Sequence, residues 1–201
     1  PVGRLIVDVG GGTSEMAVIS LGGIVVSRSV RVGGYEMDEA IAQYLRSVHQ
    51  LAIGSQTAER IKITIGSAMP RQTEETMEVR GRHLLTGLPT AIPLSSAEVR
   101  AAISAPLAEI LQAIRDTLEE TPPELSSDIA RDGILLAGGG TMVHGFADLV
   151  AAETGMPVFS AESPLTCVAY GSGQALTNLD QLSRTSRYRG GPTLTPDWRT
   201  G

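Results

Sequence analysis

The sequence predicts an α/β protein, and three features of its patterning carry that prediction. The chain opens with three short apolar segments separated by glycine-containing turns, the signature of a β-meander. Its middle is dominated by apolar residues at helical spacing. Further on, a short apolar run, Ile134–Ala137, enters a second glycine triplet and then more helical pattern.

Leu5-Ile6-Val7-Asp8-Val9 reads as the first strand, and Gly10-Gly11-Gly12-Thr13 as its turn. Met16–Ile19 and Ile24–Val26 follow as strands around Leu21-Gly22-Gly23. After Gly33-Gly34, the spacing of Met37, Ile41, Tyr44, Leu45 and Val48 predicts a helix. A second helix is expected over about Thr57–Ile65, capped by Ser55 or Thr57 and ended by Gly66 and Pro70. Thr76–Val79 reads as a strand. Leu84–Pro93, interrupted by Gly87, Pro89 and Pro93, reads as a loop with at most a short strand.

Ser95 and Glu98 form a capping-box pattern at the head of a long apolar stripe, Val99 to Leu118. Pro106 inside that stripe is expected to kink or split the helix. Pro122-Pro123 ends it and starts a short helix closed by Gly133. After Gly138-Gly139-Gly140, a helix marked by Val143, Phe146, Leu149 and Val150 is expected to close at Gly155 and Pro157. Val158-Phe159 reads as a strand, and Ser163-Pro164 as the start of a last helix, in which Gly171 and Gly173 suggest close approach to a neighbouring backbone. Residues 181–201 lack periodicity, carry Arg, Gly and Pro, and read as a disordered tail.

Composition narrows the function. At 201 residues and 42% hydrophobic, the chain can bury a core as one domain or two small subdomains. A net charge of −6 argues against nucleic-acid binding, and 3% aromatic residues argue against a base-stacking platform. No apolar run reaches the length of a membrane span. A lone cysteine, Cys167, excludes an internal disulfide and a multi-cysteine metal site, and fits a reducing cytoplasm. Its apolar helical setting suggests a buried, inert thiol. His49, His83 and His144 show no ligand spacing and read as surface or loop residues; Glu74, Glu75 and Glu78 read as a solvated face. No signal-peptide pattern is visible, and a strand pattern starting almost at Pro1 reads as a piece of a longer chain.

Three motifs could carry chemistry. In Asp8-Val9-Gly10-Gly11-Gly12-Thr13, the glycines let backbone N–H groups approach an anion, Thr13 adds a hydroxyl, and Asp8 could hold Mg²⁺ through water. The strand-turn-strand context excludes a Rossmann turn, and no Gly-Lys-Ser/Thr follows to make a Walker loop. Gly138-Gly139-Gly140-Thr141, opening a helix, offers free N–H groups and a positive partial charge. For both, a plain tight turn is the alternative. Glu59 and Lys62 sit three apart on one helix face and could grip a ribose and an adenine edge; a surface ion pair is the alternative. Lys62 is also the sole lysine, which singles out a position that kept a compact ammonium.

The order of these motifs is that of the second half of the actin-like ATPase superfamily, which includes actin, 70-kDa heat-shock chaperones and sugar kinases. The wording is more specific. DVGGGTSEMAVISLGGIVVSRSVRVGG, EMDEAI, TAERIKITIGSA, LTGLP, LLAGGGTMVHG and ESPLTCVAYGSGQAL closely resemble the MreB family of bacterial actin homologues over about residues 4–180. Two positions depart from the family pattern: Tyr35 stands where an acidic residue is usual, and Ser14 where Thr is usual.

The resemblance implies a ribonuclease H-like domain II with a mixed sheet flanked by helices. Residues 1–33 and 95–180 would form subdomain IIA, and 34–94 an inserted α/β subdomain IIB. It implies ATP and Mg²⁺ as cofactors. Gly10, Gly11, Gly12 and Thr13 would embrace the phosphates with Asp8 near the metal; Glu59 and Lys62 would contact the adenosine; Gly138, Gly139, Gly140 and Thr141 would form the adenosine loop. Catalytic residues would lie in a half upstream of this chain, which would also carry the membrane-binding surface, so this piece alone would be inactive. The implied function is an ATP-binding cytoskeletal protein that forms filaments with itself, lies on the cytoplasmic membrane, and guides cell-wall synthesis with the elongation machinery and membrane-anchored morphogenesis proteins. Other actin-fold ATPases, chaperone-like or sugar-kinase-like, and a nucleotide-free interaction module are the alternatives.

Overall fold

The computed structural model describes residues 2–177. The tail expected over residues 181–201 lies outside them.

The opening segment forms a meander, β1 (Arg4–Val9), β2 (Ser14–Ser20) and β3 (Gly23–Val30), with both pairings antiparallel. Alternation in β1 buries Leu5, Val7 and Val9 completely and leaves Ile6 and Asp8 on the other face. Two later strands, β7 (Ile134–Ala137) and β8 (Val158–Ser160), add in parallel. The result is a mixed five-stranded sheet in the order β3-β2-β1-β7-β8. Parallel pairing of β1 with β7 sets the carboxyl ends of both strands, and the glycine triplets that follow them, at the same edge.

Between β3 and the long helix lie α1 (Gly34–Val48), β4 (Leu51–Ala52), α2 (Ser55–Ile65), β5 (Thr76–His83) and β6 (Pro89–Ser95). The strands form a separate antiparallel sheet in the order β4-β5-β6. Helix α1 buries Met37, Ile41 and Leu45, while Val48, expected on that face, is exposed. Helix α2 buries Ala58, Ile61 and Ile65. Gly54 is its N-cap, and neither Ser55 nor Thr57 caps it with a side chain.

Two expectations are corrected here. Residues 84–93 are a hairpin rather than mainly a loop: β6 pairs with β5 through Ser95, and Gly87, at φ +71°, makes the turn. Pro89 and Pro93 are tolerated because β6 is an edge strand, where a missing N–H need not break a ladder. Pro106 does not split the helix either. Helix α3 runs unbroken from Ser96 to Glu119. Buried Ile103, Pro106, Leu107 and Ile110 fix it to the core, and that packing outweighs the local propensity.

The capping box at the head of α3 forms as expected: Ser95 Oγ accepts from the Glu98 N–H, and the Glu98 carboxylate accepts from the Ser95 N–H. Helix α3 packs on β2, β3 and α1, joining both sheets into one hydrophobic core. Helix α4 (Pro123–Asp132) lies beside β1, and α5 (Phe146–Thr154) beside β8.

Helix α6 (Cys167–Thr177) begins after Ser163-Pro164 rather than with it; the Thr166 and Cys167 N–H groups both donate to the Ser163 carbonyl, forming a turn before it. No described atom stands near where a side chain at Gly171 or Gly173 would begin, so the expected close backbone approach is not found among the described residues. Cys167 is half-buried rather than fully buried. Among the described residues no helix is long and apolar enough to cross a membrane.

Candidate functional site

A cleft of about 490 Å³ opens where the glycine turns meet α1 and α2. Of the residues singled out from sequence, Gly10, Gly11, Glu59, Lys62, Gly139 and Gly140 line it. Asp8, Gly12, Thr13, Gly138 and Thr141 do not; Gly12, Gly138 and Thr141 are adjacent in the chain to residues that do, the Thr13 carbonyl accepts from the Gly10 N–H, and Asp8 lies against Gly138.

The first turn is held from below. Gly10 N–H donates to the Thr13 carbonyl, while the Gly10 and Gly11 carbonyls accept from the N–H groups of Gly34 and Tyr35 at the start of α1. That contact explains Gly33-Gly34. A Cβ on Gly33 would lie 2.6 Å from the Gly10 oxygen, so only glycine lets the helix start come this close. Among the described residues, the N–H groups of Gly11, Gly12 and Thr13 have no backbone or side-chain acceptor. Such a row of unspent donors suits an anion.

The second turn differs from expectation. The glycines lead into a 3₁₀ turn, Gly139–Met142, and the α-helix starts only at Phe146. Gly138 has φ +83°, and Thr141 spends both its N–H and its buried hydroxyl on the Gly138 carbonyl. Thr141 therefore locks the turn instead of presenting a hydroxyl to the cleft. The N–H groups of Gly139 and Gly140 remain without an acceptor among the described residues.

Lys62 and Glu59 share the cleft wall without pairing. The Lys62 ammonium lies 2.9 Å from Asp38 Oδ1 and donates to the Gly34 carbonyl at 2.8 Å. Both side chains of the pair are 10% exposed. The sole lysine thus ties α2 to the start of α1, where no spacing rule in the sequence could have paired it. Burial pushes the Asp38 carboxyl above its ordinary range, and the Lys62 hydrogen bond and charge pull part of the way back. Glu59 is exposed at the mouth.

Asp8, at the end of β1, is half-buried with its carboxylate against Gly138. Burial raises its pKa, and the charge of Glu15 raises it further. One carboxylate here fits a Mg²⁺ held chiefly by phosphates and water, a hard ion that needs few protein ligands. Among the described residues no group of three His, Cys, Asp or Glu could hold a metal alone.

Elsewhere, His49 lies in the loop after α1, as expected, and pairs with Glu98 at 2.8 Å. Glu74, read as solvated, binds Arg100 and Ser96. The cleft also includes Gly34, Tyr35, Ile63, Met142, Val143 and Leu165, which sequence reasoning did not assign to it. Only for Gly34 and Tyr35 was there a local signal, the break in pattern at the double glycine.

Comparison with known proteins assigns the family and the fold. The family model described as MreB/Mbl protein matches residues 1–184. Cell shape-determining protein MreB of Escherichia coli K12 is 50% identical over 178 residues, covering 89% of this chain and 51% of that protein. Cell shape-determining protein Mbl of Bacillus subtilis is 43% identical over 184 residues, covering 92% and 55%. The crystal structure of MreB5 of Spiroplasma citri bound to ADP superposes with a TM-score of 0.87 at 38% identity, covering 92% of this chain and 56% of that one. A MamK double helical filament, at 22% identity and a TM-score of 0.66, shares the fold. The chain spans about half the length of the relatives it matches. With its actin fold and this degree of likeness, the chain belongs to the MreB/Mbl family of actin-like, cell shape-determining proteins.

Proposed function

We propose that the cleft binds the phosphates and adenosine of ATP, as part of an actin-like protein that polymerises and maintains rod shape by guiding cell-wall synthesis. The observation that carries this reading is the convergence of two glycine turns, distant in sequence, whose unspent N–H groups share one cleft. MreB5 of Spiroplasma citri, solved with ADP and with AMPPNP, supports a nucleotide as the ligand.

In this proposal Gly10, Gly11, Gly12 and Thr13 cradle the phosphates through backbone donors. Gly139 and Gly140 present a flat backbone to the adenosine, behind which Gly138 and Thr141 hold the turn. Glu59, exposed at the mouth, accepts from ribose hydroxyls, while Lys62 shapes the wall through Asp38 and Gly34. Asp8 orients the water shell of Mg²⁺, which when bound offsets phosphate charge. Residues 1–33 and 95–180 act as subdomain IIA, and 34–94, with their own sheet, as IIB. Self-association into filaments, attachment to the cytoplasmic membrane, and work with the elongation machinery and its membrane-anchored proteins belong to the same proposal. In it, hydrolysis requires the half that the relatives carry beyond this match, so the 201-residue chain alone turns over ATP at background rate.

Sedimentation of the full-length gene product with ATP, with ADP and without nucleotide tests the reading. Pelleting that depends on nucleotide is expected. A full-length protein that binds ATP yet never polymerises under any condition would overturn the cytoskeletal part; one that binds no nucleotide would overturn the whole.

A further inference from the structure

Resting on the nucleotide reading above, we propose that the Tyr35 hydroxyl is a donor to the phosphate chain seated on the Gly10–Thr13 turn, making Tyr35 a positioning residue for the nucleotide. The inventory of donors in the cleft leads there. Among the described residues its one cation, Lys62, is already committed to Asp38 and the Gly34 carbonyl. Glu59 is an anion. An anionic ligand is therefore left with backbone N–H groups and two neutral hydroxyls at the turn, those of Thr13, within it, and of Tyr35, beside it.

Its position is fixed at one end and free at the other. The Tyr35 N–H donates to the Gly11 carbonyl at 2.7 Å, so the helix start and the turn move as one piece. The ring lies over Gly11: a Cβ there would stand 2.9 Å from Cζ and 3.2 Å from the hydroxyl oxygen. The hydroxyl has no protein partner among the described residues, and the residue is 67% exposed. The hydroxyl thus stands beside the turn on which the phosphates would sit. Phenol is a good donor to a phosphate oxygen, and a hydrogen bond to a charged acceptor is among the stronger kinds.

The test is the affinity of the full-length gene product for ATP, ADP and adenosine, in wild type, Tyr35→Phe and Tyr35→Ala, with thermal unfolding as a check on folding. Tyr35→Phe is expected to weaken ATP and ADP about tenfold, the loss of one charge-assisted hydrogen bond, and to leave any adenosine binding unchanged. Tyr35→Ala should lose at least as much. Unchanged ATP affinity in Tyr35→Phe overturns the proposal, even if Tyr35→Ala binds poorly, because the ring and not the hydroxyl would then matter. A loss of adenosine affinity equal to that for ATP also overturns it. Wild-type protein that binds neither ATP nor ADP is a different failure, that of the nucleotide reading itself.

Discussion

Replacing Gly138 with alanine strains the junction between the two glycine turns, and its effect can be worked from the backbone. Gly138 has φ +83° and ψ 155°, a region open in practice only to glycine. Occupying it with an L side chain costs about 1–3 kcal/mol. The new Cβ would also lie 2.3 Å from both Asp8 Oδ1 and the Val9 carbonyl oxygen. The Asp8 side chain can rotate away, but the Val9 carbonyl is backbone at the end of the central strand, and relieving such overpacking costs about another 1–3 kcal/mol. Together the penalty is about 4 kcal/mol, or a fall of roughly 8–16 °C in melting temperature for a protein of this size.

Gly155→Ala provides the control. Gly155 also has positive φ, +69°, but nothing lies within 4 Å of where its Cβ would be. Its cost is the left-handed conformation alone, about 1 kcal/mol. Thermal unfolding of both variants, followed by circular dichroism, separates strain from collision. If Gly138→Ala loses no more stability than Gly155→Ala, the claimed contact with Val9 is absent and the reasoning is wrong.

Other outcomes follow from features already described. Asp8→Asn removes a half-buried carboxylate whose pKa burial and Glu15 both raise. The folded state holds that proton more tightly than the unfolded, so wild-type stability falls as pH rises from about the unfolded value of 3.8 through the folded one. The variant should therefore melt above wild type at pH 7, with the gap closing in acid; a lower melting temperature at pH 7 contradicts this, and Mg²⁺-dependent nucleotide binding should weaken. Ser95→Ala breaks the capping box of α3 and should cost about 1 kcal/mol in urea unfolding, against no change if the cap is idle. Phe146→Ala empties a fully buried position at the start of α5 and should cost about 3–5 kcal/mol; a loss under 1 kcal/mol would contradict its burial.

Local chemistry made some of this legible in the sequence. The alternation in β1, the first glycine turn and the Ser95/Glu98 box are written in neighbouring residues, and each forms as read. Features set by tertiary contact were not. The prolines of β6 are acceptable only because that strand is an edge, and Pro106 only because its helix is pinned on both sides. At the site, residue types at the right places were visible, but how they are used was not. Lys62 serves Asp38 and Gly34, across 24 and 28 positions of chain; Thr141 serves its own turn. Tyr35 enters the cleft because α1 begins beneath Gly11, an adjacency that spacing cannot express.

The parallel pairing of β1 with β7 also dictates a timetable. Leu5 and Ile134 are neighbours in the sheet, yet about 130 residues apart in the chain, so this contact becomes possible only after the intervening chain has left the ribosome. At about 5–20 residues per second, β1 waits roughly 6–26 seconds with one edge open. During that interval the edge is a template for wrong partners. The hairpin of β1 and β2 can form early, but the two glycine turns cannot face each other until β7 docks. The two turns thus come to face each other in a single step, the docking of β7, and a ligand that touches both would report that step.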